Sequence, residues 1–169
     1  MLPVQRVHAL DEKQIDGLAD VLIDCVEGGA SVSFMLPLSR QRAAAYWRHV
    51  AEEVAAGRRA LFIAEDSRGV CGTVQLVFAT PENQPHRADV SKMLVHRRAR
   101  KQGLGAALMR AAEQTARECG KTLLVLDTAS GDAERLYERM GWVRLGVIPG
   151  YALLPNGGLC DTTVYYRTL

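Results

Sequence analysis

Arg100-Lys101-Gln102-Gly103-Leu104-Gly105 stands between an apolar, strand-like run, Ala88 to Val95, and a helical pattern from about Leu104 to Glu118 that ends at Gly120. A strand that passes through two glycines directly into a helix is the strongest constraint in the chain, because it specifies a strand–turn–helix unit at mid-sequence. Glycine lets the backbone turn tightly and approach a ligand closely. The first N–H groups of the helix have no partner within it, so such a turn can hold an oxyanion. Two familiar phosphate-binding signatures do not fit. A P-loop needs Lys-Ser/Thr after its last glycine, where this chain has Ala106-Ala107, and a dinucleotide fingerprint needs a third glycine, where it has Leu108.

Around this unit the periodicity alternates between helix and strand. Val4 to Val7 reads as a short strand, and Asp11 starts a helix carrying Ile15, Leu18, Ala19, Leu22 and Val26 up to Gly28-Gly29. Ser39 caps a second helix, with Ala43, Trp47, Val50 and Val54 on one face and a stop at Gly57. Ala60 to Glu65 and Cys71 to Ala79, joined by Asp66-Ser67-Arg68-Gly69, predict a β-hairpin. Pro81 to Pro85 is a loop. After the central unit come a strand from Thr122 to Leu126, a helix from about Gly131 to Met140 capped by Ser130, and closing strands around Val143 to Ile148 and Thr162 to Tyr166. The order is β-α-α-β-β-β-α-β-α-β-β. With no repeat, linker or low-complexity stretch, residues 1–169 are expected to form one mixed α/β domain.

The net charge of +2 is unevenly distributed. From Arg87 to Arg110 there are seven bases (Arg87, Lys92, Arg97, Arg98, Arg100, Lys101, Arg110) against Asp89 alone, leaving fourteen bases against eighteen acids elsewhere. One segment should therefore attract anions, whether a phosphorylated small molecule or nucleic acid, although no nucleic-acid-binding motif flanks it. No apolar run is long enough to span a bilayer and Met1 to Leu10 lacks the pattern of a secretion signal, so a cytoplasmic location is expected. Cys25, Cys71, Cys119 and Cys160 are widely spaced, with no CxxC pair and no HxxxH pair, which predicts reduced core thiols and no metal.

Arg100-x-x-Gly103-x-Gly105, preceded by Val90, Met93 and Val95 and followed by Leu108, resembles the acyl-CoA loop of the GCN5-related N-acetyltransferases, the GNAT family. Ala133-Glu134-Arg135-Leu136-Tyr137-Glu138-Arg139-Met140-Gly141-Trp142 resembles that family's second signature, and the element order matches over nearly the whole chain. The resemblance implies acetyl-CoA as co-substrate. It implies pyrophosphate held by the loop of Arg100, Lys101, Gln102, Gly103, Leu104, Gly105 and Ala106, and pantetheine paired like an added strand along Met93 and Val95. An amide of Met93 or Leu94 would polarise the thioester carbonyl. Ser130 stands where the family commonly has an Asn that assists CoA binding.

By the same resemblance, the Tyr137 phenol protonates the departing CoA thiolate; read from the residues alone it can equally be a core aromatic. Acyl transfer also requires the amine to shed a proton. Asp127, at the end of its strand, is favoured as base or as anchor of the acceptor's ammonium group, with Asp89 as rival. Either can equally cap a turn or pair with Arg87 or Lys92. The family covers its acceptor site with the segment joining the first two helices, which makes Ser31, Val32 and Phe34 candidate substrate contacts. That segment and the closing Pro149-Gly150-Tyr151 are similar to the tabtoxin-resistance branch of the family, whose acceptor is an amino-acid-like toxin amine. A direct N-acetyltransferase acting on a small primary amine is the leading reading, with a homodimer through the closing strands implied by resemblance alone. A non-catalytic acyl-CoA-binding module is the alternative. A cysteine-acyl intermediate has no Cys/His arrangement to support it.

Overall fold

The computed structural model describes residues 2–169. The helical periodicities become α1 (Glu12–Glu27), α2 (Arg40–Ala55), α3 (Leu104–Glu118) and α4 (Gly131–Arg139). Three of them start on side-chain caps. Asp11 accepts from the N–H of Gln14 at 2.7 Å in a reciprocal capping box, Ser39 accepts from Arg42, and Ser130 accepts from Ala133. The helix α3 starts on Gly103, which offers no capping side chain.

Seven strands, β1 (Val4–Val7), β2 (Arg59–Asp66), β3 (Gly69–Phe78), β4 (Arg87–Val95), β5 (Leu123–Thr128), β6 (Val143–Leu153) and β7 (Leu159–Thr168), form one sheet. Their spatial order is β1-β2-β3-β4-β5-β7-β6, antiparallel throughout except where β4 meets β5. The expected element order therefore holds. The last two strands run further than the sequence indicates, because β6 is an edge strand: Pro149 needs no ladder partner there, and the register slips between Ile148 and Ala152 while pairing continues.

Each face of the sheet buries its own cluster. Along β2 the run Ala60-Leu61-Phe62-Ile63-Ala64 is buried throughout because alternate side chains serve opposite faces: Ala60, Phe62 and Ala64 pack on the side of α3, and Leu61 and Ile63 on the side of α1 and α2. The expectation of core thiols holds for Cys25 and Cys71. It fails for Cys119, which is exposed one residue beyond α3, and for the half-buried Cys160 on the solvent-facing final hairpin.

One buried acid ties α3 to the C-terminal strands. Glu113 accepts from the indole N–H of Trp142 at 2.9 Å and lies 3.5 Å from the Arg167 guanidinium. A Glu113→Gln variant keeps an acceptor for Trp142 but loses the charge facing Arg167. The expected cost is about 1–2 kcal/mol, read as a lower urea midpoint at unchanged slope.

Two irregularities in β4 shape the functional region. It pairs with β5 over only three residues, Arg87↔Leu123, Ala88↔Leu124 and Asp89↔Val125, after which the two strands part. Against β3, Gln75↔Ser91 is followed by Thr73↔Leu94, so two steps on β3 correspond to three on β4. The extra residue is a β-bulge, and Lys92 takes a φ of 50°, uncommon for a residue with a Cβ. Ala88 and Val90 pack on the α3 side before the bulge, and Met93 and Val95 pack there after it. Ser91 and Lys92 both face the opposite side.

Candidate active site

On the face not covered by α3 and α4, beside the point where β4 and β5 part, lies a cavity of about 530 Å³. Its charged lining consists of Arg59, Arg87, Asp89, Lys92 and Asp127, with Tyr46 from α2 and Tyr151 and Thr162 from the final hairpin. Pairing registers account for the first row. Arg59↔Val77, Val77↔Asp89 and Asp89↔Val125 place residues of four successive strands on one face.

The two candidate carboxylates thus meet in one cavity but in different surroundings. Asp89 is half-buried and accepts from Arg87 Nη1 at 2.5 Å. Burial pushes its carboxyl above the ordinary range, the nearby Asp127 adds to the rise, and Arg87 opposes it. Asp127 is exposed and accepts from the Thr162 hydroxyl at 2.7 Å.

Across the sheet, Tyr137 is buried on α4 between Trp142 and Tyr165, with ring centroids at 5.9 and 5.8 Å. Burial drives its phenol well above the ordinary range, and the charge of Asp127 pushes in the same direction, so it keeps its proton through neutral pH. The turn before α3 is shaped by Lys101 at φ 59° and Gly103 at φ 78°. Gly105 serves a different end: a Cβ there would meet Leu136 Cδ2 at 3.1 Å, so its small size lets α3 approach α4. The uncapped helix start leaves N–H donors free for an oxyanion.

Arg100 turns back, its Nε donating to the Val95 carbonyl at 2.9 Å. Arg97 is hydrogen-bonded through its side chain and backbone N–H to Asp24 of α1, and Arg98 pairs with Asp66 at 2.8 Å. Three of the seven bases read in the sequence, Arg97, Arg98 and Arg100, are therefore spent on internal contacts that anchor the loop. Ser130 caps α4 through its hydroxyl oxygen. Gln102 donates to the Arg98 carbonyl.

The segment between α1 and α2 spans toward the final hairpin, with Leu36 N–H donating to Pro155 O at 2.9 Å and Ser31 to the Leu153 carbonyl at 3.2 Å. Ser31, Val32 and Phe34 do not line the cavity. Val32 and Phe34 pack on the α1–α2 cluster, and Phe34 meets the cavity residue Tyr46 edge-on at 5.3 Å. Their neighbour Ser33 accepts from Lys92 Nζ at 3.1 Å. Sequence reasoning missed Arg59, Tyr46 and the cavity-facing role of Lys92. For Lys92 a signal exists, since the apolar positions Ala88 and Val90 resume at Met93 and Val95 one residue out of phase. Arg59 and Tyr46 leave none.

Among the described residues no cluster of His, Cys, Asp or Glu could hold a metal, and no helix is long and apolar enough to cross a membrane. A family model described as the acetyltransferase (GNAT) family matches residues 32–142. An uncharacterized N-acetyltransferase in the hisH-hisA intergenic region of Azospirillum brasilense is 30% identical over 126 residues, 73% of each chain. Among solved structures, yncA of Salmonella typhimurium with its cofactor acetyl-CoA superposes with a TM-score of 0.81 at 17% identity, over 100% of this chain and 94% of that one. A phosphinothricin acetyltransferase of Sinorhizobium meliloti in complex with acetyl-CoA does so at 0.81 and 17%, over 99% and 88%. These two likenesses are of fold.

Proposed function

The chain belongs to the GNAT family of acetyl-CoA-dependent N-acetyltransferases, and from that premise we propose that it transfers the acetyl group directly to the primary amine of a small molecule. The observation that carries this reading is the parting of β4 and β5 after Asp89, with the carboxylate-lined cavity beside it and the uncapped start of α3 following the end of β4. When bound, acetyl-CoA supplies an activated acyl group and a thiolate leaving group. In this reading the amides from Lys101 to Ala106 hold its pyrophosphate, and Met93 and Val95 offer main-chain groups to the pantetheine arm. The bulge leaves Lys92 and Met93 without register partners on β3, and in this reading the amide of Met93 or Leu94 polarises the thioester carbonyl. Tyr137 holds the proton for the leaving thiolate. Asp127, or its neighbour Asp89, anchors the ammonium group and takes its proton.

The acceptor in this reading is amino-acid-like, such as a toxin or antibiotic to which acetylation gives resistance. The test is release of free CoA thiol from acetyl-CoA across amino acids, aminoglycosides, polyamines and peptides. Stimulation by one class is expected. Tight acetyl-CoA binding with no stimulated release would favour the acyl-CoA-binding module. A homodimer is part of the proposal, supported by the edge strand β6, where Val143, Leu145, Val147, Ile148 and Leu153 are exposed. Sedimentation equilibrium is expected to give twice the monomer mass of 18.5 kDa.

A further inference from the structure

We propose that Lys92 and Arg59 form an anion-binding subsite in the acceptor cavity, so that the acetyl acceptor carries a carboxylate or an equivalent oxyanion beside its amine. The inference rests on the transferase reading and names its substrate class.

The charges around the cavity do not cancel locally. Arg87 and Asp89 neutralise each other. Lys92 has no carboxylate within ion-pair distance among the described residues; its Nζ donates to the Ser33 hydroxyl and lies 5.9 Å from the centre of the Tyr46 ring. Arg59 donates through Nη1 to Gln75 Oε1 at 2.8 Å, while its Nε is buried without a hydrogen-bond partner, 4.0 Å from Glu53. Lys92 and Arg59 line the same cavity, and burial first, then the charge of Arg59, pull the Lys92 ammonium below its ordinary range while Asp127 opposes the shift. Such a pair is unfavourable until an anion joins it.

Strict strand alternation would have turned Lys92 to the other face. The bulge brings it here with its backbone in the left-handed region, a conformation kept only where surrounding structure enforces it. On the far side of the cavity Asp127 has a neutral partner, the Thr162 hydroxyl. The cavity therefore sets Asp127 on β5, hydrogen-bonded only to a hydroxyl, against Lys92 on β4, which has no carboxylate within ion-pair distance among the described residues, and Arg59 on β2, whose carboxylate neighbour Glu53 stands off at 4.0 Å. This arrangement is complementary to a zwitterion. Polyamines and aminoglycosides would set further positive charge against Lys92 and Arg59.

The experiment compares amino acids with their own carboxamides, which lack the anionic group and carry a less basic amine, a difference that by itself favours the carboxamide at neutral pH. In CoA-release assays the amino acid is expected to exceed its carboxamide by about 100-fold in kcat/KM, the discrimination a site gains when its charged donors would otherwise be left unpaired. In Lys92→Met and Arg59→Gln the ratio falls by about tenfold or more, and Lys92→Arg restores part of it. In parallel, dissociation constants of the N-acetyl amino acids and N-acetyl carboxamides read the subsite without turnover. Equal use of both acceptors, or a ratio retained in both variants, overturns the subsite while leaving the transferase reading intact. No CoA release from any amine, with anion-selective product binding that Lys92→Met abolishes, removes the transferase reading and leaves the subsite standing.

Discussion

A Tyr137→Phe variant is expected to lose about 100- to 10,000-fold in kcat while its affinity for acetyl-CoA stays within about twofold of the parent, the span associated with removing a positioned general acid. The substitution deletes one oxygen from a ring whose packing against Trp142 and Tyr165 is otherwise preserved. Within the described residues that oxygen has no hydrogen-bond partner to leave stranded, so stability should change by less than about 0.5 kcal/mol. Burial raises the phenol well above its ordinary range, so it remains a proton donor across neutral pH, and no alkaline loss of wild-type activity is assigned to it below about pH 10. A second acetyl thioester with a more acidic thiol provides an internal control. The better leaving group needs the proton less, so the defect of Tyr137→Phe shrinks with that donor. An unchanged kcat with acetyl-CoA would remove Tyr137 from the chemistry.

The second large effect is that of Asp127→Asn, for which kcat/KM toward the acceptor is expected to fall about 100-fold at pH 7. An amine with a pKa near 10 is neutral in only about one molecule per thousand at pH 7, so a base is worth most there and little near pH 10, where the free amine is abundant. The loss should therefore shrink as the pH rises. Asn keeps the shape and can still accept from Thr162, which confines the change to charge and basicity.

Asp89 gives a distinguishable outcome. The Asp127 anion helps to hold the Asp89 carboxyl above its ordinary range, so neutralising Asp127 lets Asp89 ionise at lower pH. Were Asp89 the base, Asp127→Asn would move the acidic limb of the rate profile to lower pH with the neutral rate largely kept, and Asp89→Asn would carry the loss instead.

The elements were legible because their signals are local. Asp11, Ser39 and Ser130 mark helix starts by accepting from N–H groups three residues on, and the apolar spacing of α1, α2 and α3 needs no distant partner to be read. The Gly103 turn was legible for the same reason. Its charge was misleading: Arg97 and Arg98 look available for an anion until Asp24 and Asp66, distant in sequence, arrive beside them. Val32 and Phe34, apolar residues in a loop, read equally as lidding a pocket or as packing beneath it, and they pack against α1 and α2.

The amino-acid sequence by itself determined the order of elements, the glycine turn into α3, the place of Tyr137 on α4 and a carboxylate on each of two strands. All of these follow from residue preference and short-range spacing. Only the tertiary structure decided that β4 leaves β5 after Asp89 and that the bulge opposite Val74 turns Lys92 into the cavity with Arg59. The reason is that strand register depends on the partner strand. One extra residue reverses the face of every side chain beyond it, so the side on which Lys92 spends its charge is set by β3, fourteen residues or more away in sequence, and by the sheet as a whole.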